Sequence, residues 1–119
     1  MTEMLRVYIA APYTSDPEQN VRVAIGMADM IADLGLAPFV PHLYHFWDRQ
    51  HPHEYLFWIV QTLHWVEVCD GLIRIPGHSP GADQEVMFAM KLGKPVFYSF
   101  QELKDFNTRQ MGFKLDDKS

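Results

Sequence analysis

The chain has one cysteine, Cys69, in 119 residues. A single thiol excludes an intrachain disulfide framework and fits a reducing compartment. Positive charge is also sparse: ten Lys and Arg stand against fifteen Asp and Glu, a net charge of -5. No basic stripe is visible, which excludes a nucleic-acid polymer as the expected partner. A single nucleotide stays open, because a few backbone N–H groups suffice to hold one phosphate. No apolar run reaches membrane length, and Met1-Thr2-Glu3 carries no basic leader region. The expectation is a soluble cytoplasmic protein with no membrane partner. Repeats and linkers are absent too, so residues 1–119 are expected to form one domain.

Hydrophobic residues, by contrast, make up 48% of the chain, enough for a core without covalent staples. Leu5 to Ala11 is a short, β-branched run closed by Pro12, the pattern of a buried first strand. Ser15-Asp16-Pro17-Glu18 combines a cap residue, a proline and a first-turn acid, and so starts a helix. Val21, Ala24, Ile25, Ala28, Ile31 and Ala32 continue it at helical spacing, and Gly35 stops it. Residues 37–40 read as a second strand, 54–69 as an apolar helix, 71–75 as a third strand and 96–99 as a fourth. The 54–69 helix is apolar on several sides, which predicts one face on the sheet and another on a second subunit. Residues 41–53 read as an irregular loop rich in histidine and aromatic residues, of the length that marks a lid or binding loop. The last twenty residues are expected to hold a short helix near 101–106 and an edge strand near Phe113.

Strands alternating with helices imply right-handed crossovers and a parallel sheet of four or five strands covered on both faces. Ligands of such sheets bind beyond the carboxyl ends of the strands, near the switch in strand order. Three stretches are expected there: Ala10 to Tyr13, the 41–53 loop, and Pro76 to Glu85.

The last of these stretches is the best-formed local signal. Ser79 suits an N-cap, Pro80 the first helical position, and Gly93-Lys94-Pro95 a helix end. Glu85 lies one turn in, at the edge of the face that Ala82, Val86 and Ala89 share. Two readings of Glu85 stand on spacing alone: a carboxylate complementing the helix dipole, or a functional acid. Tyr8 on its own fits core packing, and Asp70 a turn before Gly71. The histidines divide similarly. His42-x-x-His45 and His51-x-His53 hold spacings that a metal accepts, but structural zinc prefers cysteine, of which there is one. The stronger reading has His42 and His45 lining a pocket, with Trp47 available to stack on a base.

Three pieces taken together resemble the nucleoside 2-deoxyribosyltransferase superfamily, which includes 2'-deoxynucleoside 5'-monophosphate N-glycosidases. They are Val7 to Tyr13, Cys69 to Ile73, and Ser79 to Glu85 followed by Ala89 and Gly93 to Val96. In order and spacing the resemblance covers residues 5–99. It implies a flavodoxin-like, three-layer α/β fold and cleavage of an N-glycosidic bond without a cofactor or metal. It further implies that Glu85 is the nucleophile, that Tyr8 orients it, and that Asp70 handles the proton of the departing base. Ser79 and Gly81 would seat a 5'-phosphate, which favours nucleotide hydrolysis over base exchange. Ala10, Pro12, His42, His45 and Trp47 complete the expected binding set. The partner implied is a small nucleoside or nucleotide, and the assembly a homodimer or higher homo-oligomer. A binding module without chemistry is the competing reading.

Overall fold

The computed structural model describes residues 4–118, and the side chains of residues 4–111. Four parallel strands, β1 (Arg6–Ala10), β2 (Ala37–Phe39), β3 (Gly71–Arg74) and β4 (Val96–Phe97), form one sheet in the order β2-β1-β3-β4. β1 is central, pairing with β2 through Tyr8 and Phe39 and with β3 through Tyr8 and Leu72. The chain moves from β1 to one side for β2 and to the other for β3. This is the flavodoxin-like α/β fold expected from the alternating pattern, with its switch point beside β1.

The period of two along β1 decides which helices cover which face. Val7 and Ile9 pack under Ala24 and Ile31 of α1 (Pro17–Asp33) and Leu103 of α5 (Phe100–Lys118). Tyr8 and Ala10 point the other way, toward Val66 of α3 (Tyr55–Val68) and Ala82, Val86 and Ala89 of α4 (Pro80–Lys91). The sheet is therefore the middle of three layers. Its central strand is almost wholly withdrawn from water.

Local chemistry sets the helix limits. Asp16 caps α1 by accepting the Gln19 N–H, with Pro17 at the first position, and Gly35 leaves the helix at a φ of +83°. Ser79 caps α4 by accepting the Ala82 N–H at 3.1 Å. Gly77 adopts a φ of +128° in the turn between β3 and α4, and a Cβ there would lie 2.6 Å from the Pro12 ring. The loops after β1 and β3 touch at that glycine.

Two expectations need correction. Residues 41–53 are not an irregular loop: Pro41–Leu43 is a 3₁₀ turn that leads into α2 (Tyr44–Gln50). A seven-residue helix is too short to show a hydrophobic period, and this one is held by tertiary packing instead. Trp47 meets Tyr44, Phe57 and Trp58 edge-on, and the Asp48 carboxylate accepts the Trp58 indole N–H at 2.8 Å. The C-terminal segment is one continuous helix through Lys118, with no strand at Phe113. In α3, the face toward the sheet carries Thr62 and Val66, while Leu56, Val60 and Val68 are exposed on the single chain. Among the described residues, no helix is long and apolar enough to cross a membrane.

Candidate functional site

Tyr8 is the even-numbered residue at the middle of β1, so its ring enters the layer beneath α3 and α4. Its phenol donates a hydrogen bond to Glu85 Oε2 at 2.5 Å. Glu85 lies on the first turns of α4, on the same inward face as Ala82 and Val86, and is only 7% exposed. The carboxylate is thus turned further inward than the edge of the apolar face.

Burial sets its electrostatics. Desolvation raises the Glu85 pKa from 4.5 to about 7, against the lowering influence of the bonds from Tyr8 and Thr62 and of the Arg74 charge. The Tyr8 phenol is pushed well above its ordinary value, first by burial and then by the negative Glu85 beside it. At neutral pH the pair therefore holds one carboxyl poised between its two protonation states and one phenol that stays protonated. Arg74 ends β3 close by. Its guanidinium pairs with Asp83 at 2.9 Å and also bonds the carbonyls of Ile75 and Gly77. It thereby ties the β3–α4 turn to the first turn of α4.

Above Glu85 opens a cavity of about 700 Å³, bounded by the β1–α1 loop, the 3₁₀ turn, α2, α3 and the start of α4. That volume is ample for a nucleotide. Its wall combines aromatic rings (Tyr13, Tyr44, Tyr55, Trp58) with polar groups from His42 and His45. His42 Nε2 bonds the Pro12 carbonyl at 3.0 Å, and burial lowers its pKa, so the ring is held neutral as a donor to that carbonyl. Its Nδ1 is buried without a hydrogen-bond partner. His45 is 7% exposed and bridges Tyr13 and Glu18, its Nδ1 2.6 Å from the Tyr13 hydroxyl and its Nε2 3.1 Å from Glu18 Oε1. Among the described residues, no group of three His, Cys, Asp or Glu side chains is arranged to hold a metal.

Of the residues singled out from sequence, Glu85, Ser79, Gly81, His42 and His45 line this cavity, and Tyr8 supports it from below. Four others do not belong to its wall. Ala10 is packed in the core under α3 and α4, and Pro12 contributes its carbonyl to His42 and its ring to Gly77. Trp47 is not part of the cavity wall and packs edge-on against Phe57 and Trp58 in the aromatic cluster between α2 and α3. Asp70 is the largest correction. It precedes β3 and therefore lies at the amino edge of the parallel sheet, opposite the cavity. There its carboxylate accepts the Arg6 backbone N–H at 2.7 Å and forms an ion pair with the Arg6 side chain at 3.3 Å. These bonds hold its pKa below the usual value despite partial burial. A residue so placed cannot reach a substrate at Glu85.

Several residues enter the site without having been singled out, among them Thr62, Tyr13 and Tyr55. Thr62, on the sheet-facing side of α3, is buried against Tyr8 and Glu85. A polar residue one turn before Val66, on the side of the helix that faces the sheet, was the available signal. Tyr13 lies in the stretch that topology assigns to the site. Gly81 admits Tyr55, whose hydroxyl would lie 3.1 Å from a Cβ at that position.

Residues 5–99 match the model of a family described as a domain of unknown function, DUF7768. No curated protein matches the sequence. Among solved structures, the chain is similar to a 2-deoxyribosyltransferase from the psychrotolerant bacterium Bacillus psychrosaccharolyticus. Identity is 22% and the TM-score 0.57, over 76% of this chain and 69% of that one. A likeness at this identity establishes a shared fold.

Proposed function

The chain belongs to the DUF7768 family, which carries no assigned activity, and we propose from its site that it cleaves the N-glycosidic bond of a nucleoside or nucleoside 5'-monophosphate. The observation that carries this reading is the buried Glu85, held by Tyr8 at 2.5 Å beneath an aromatic-walled cavity. A buried carboxylate with a fixed orientation is what a retaining glycosyl transfer requires of its nucleophile. One Glu85 oxygen attacks the anomeric carbon, the C–N bond breaks, and a glycosyl ester forms on Glu85. Tyr8 fixes the carboxylate's direction of attack, with Thr62 buried beside it. The ring-lined wall offers a stacking surface for the base.

Hydrolysis of a nucleotide is preferred over base exchange. The cavity reaches the first turn of α4, where Ser79 and Gly81 meet it. Pro80 has no N–H, and the cap takes that of Ala82, so the Gly81 amide, which has no intrahelical acceptor, would be the one offered to a phosphate oxygen at the positive end of the helix. Water then resolves the ester. Likeness of fold to a 2-deoxyribosyltransferase is compatible with either acceptor.

The test is incubation with a panel of nucleosides and their 5'-monophosphates, with and without an acceptor base, followed by chromatography of the free base. Release without acceptor, faster from monophosphates, is the expected outcome. Exchange that depends on acceptor would make the protein a transferase. Tight nucleotide binding with no base released would make it a binding module. Full turnover in Glu85→Ala and Glu85→Gln would overturn the assignment of the nucleophile.

A further inference from the structure

An N-glycosidic bond breaks readily only if the leaving base is neutralised, and Asp70, the residue expected to supply that proton, lies at the far edge of the sheet. The cavity holds another arrangement suited to the task. Tyr13 projects from the loop after β1, and its hydroxyl is 2.6 Å from His45 Nδ1. On the other side of the same ring, His45 Nε2 is 3.1 Å from Glu18 Oε1 on α1. Arg49 of α2 approaches that same oxygen at 3.2 Å. The imidazole is almost fully buried while Glu18 and Arg49 reach solvent, so the chain runs from bulk water to the cavity wall. Tyr13 and His45 both line the cavity that contains Glu85.

We propose that Glu18, His45 and Tyr13 form a proton relay that protonates the departing base, with Tyr13 as the group that touches the substrate. This inference rests on the N-glycosidic reading of the site. With His45 as imidazolium, Nε2–H donates to the Glu18 carboxylate and Nδ1–H donates to the Tyr13 oxygen. The phenolic O–H is then free to point into the cavity. As Glu85 forms its bond to the anomeric carbon, the electron pair of the C–N bond goes to the base nitrogen. The base takes the Tyr13 proton, and the Tyr13 oxygen takes the proton from His45 Nδ1. The imidazole ends neutral, still donating to Glu18. When water attacks the glycosyl ester, its C–O bond forms, the bond to Glu85 breaks, and the water proton returns through Tyr13 to His45. One proton is lent and one recovered per turnover, as microscopic reversibility demands of a residue that serves as acid and then base.

A base that already carries a positive charge needs no such proton. The test compares two 2'-deoxynucleoside 5'-monophosphates, guanine and N7-methylguanine, by the base released in the first turnover, before water resolves the ester, above the spontaneous rate, for wild type and Tyr13→Phe. The expected result is a loss of about 100-fold or more on the guanine nucleotide, the usual scale of general-acid catalysis, with less than about threefold lost on the methylated one. His45→Gln reads the same ratio through a second substitution, should Tyr13→Phe fail to fold. Equal losses on both substrates would mean that Tyr13 only positions substrate and would overturn the relay alone. A wild type that releases base from neither nucleotide would overturn the N-glycosidic reading, and the relay with it.

Discussion

Replacing Glu85 with glutamine has a consequence for stability that is independent of any substrate. The folded protein raises the Glu85 pKa from 4.5 to about 7, so it holds this proton more tightly than the unfolded chain does. The stability linked to that proton is fully present below pH 4.5 and is lost as pH rises through about 7. At about 1.4 kcal/mol per pH unit the loss amounts to about 3 kcal/mol, with little screening by solvent because Glu85 is only 7% exposed. Glutamine keeps the shape and can still accept the Tyr8 bond, but it does not ionise. Glu85→Gln should therefore match wild type near pH 5 and exceed it by about 3 kcal/mol at pH 8.5, a rise in Tm on the order of 10 °C for a domain of this size. Thermal melts of both proteins in steps from pH 5 to 8.5 measure the difference, and subtraction removes every other titrating group. A difference in Tm that stayed constant across this range would refute the argument that burial dominates at Glu85. The same window carries a functional consequence under the proposed mechanism. The nucleophile must be ionised, so turnover rises over the pH range in which the fold weakens.

Tyr8→Phe removes the hydrogen bond that favours the ionised carboxyl, so the acidic limb of base release should move to higher pH and the rate at pH 6 should fall at least about tenfold; an unmoved limb in rates measured from pH 5 to 9 would contradict this. Asp70→Asn should leave turnover within about twofold of wild type and cost at most about 1 kcal/mol in urea unfolding, because it breaks a largely exposed pair with Arg6. A large loss of turnover with normal stability would restore Asp70 to the mechanism. Gly77→Ala places a Cβ at positive φ against the Pro12 ring. It should lower the denaturation midpoint by an equivalent of about 1 to 3 kcal/mol, and a neutral effect would show that the two loops yield freely.

The parts of the fold legible in the sequence are those whose signals are local. The caps at Asp16 and Ser79, the glycine exits at Gly35 and Gly93, and the β-branched run of β1 each follow from a few neighbouring residues. The pairing of Glu85 with Tyr8 was expected from the family resemblance alone, since on spacing Tyr8 reads as core; strand alternation and helical spacing are what bring the two side chains to one layer. What was not legible depends on contacts distant in sequence. α2 is held by rings of α3, and Thr62 gains its meaning only from Tyr8 and Glu85. Asp70 was misplaced for a simpler reason. A parallel strand has a polarity, and a residue just before β3 sits at the opposite edge from one just after it. Arg74, at the other end of the same strand, is the one whose charge reaches Glu85.

The placement of Tyr8 has a bearing on how the protein tolerates change. Its ring belongs to the central strand and is fully buried, so it cannot leave Glu85 without the sheet coming apart. Opening of such a position costs about the free energy of global unfolding, while the α2 wall and the exposed rim open more cheaply. Hydrogen exchange at the β1 amides should therefore track denaturant sensitivity of the whole domain. Under the proposed function, the molecule would separate a reactive floor, as durable as the fold itself, from a recognition wall that mutation can reshape, and substrate preference could then drift while Glu85 and Tyr8 stay fixed.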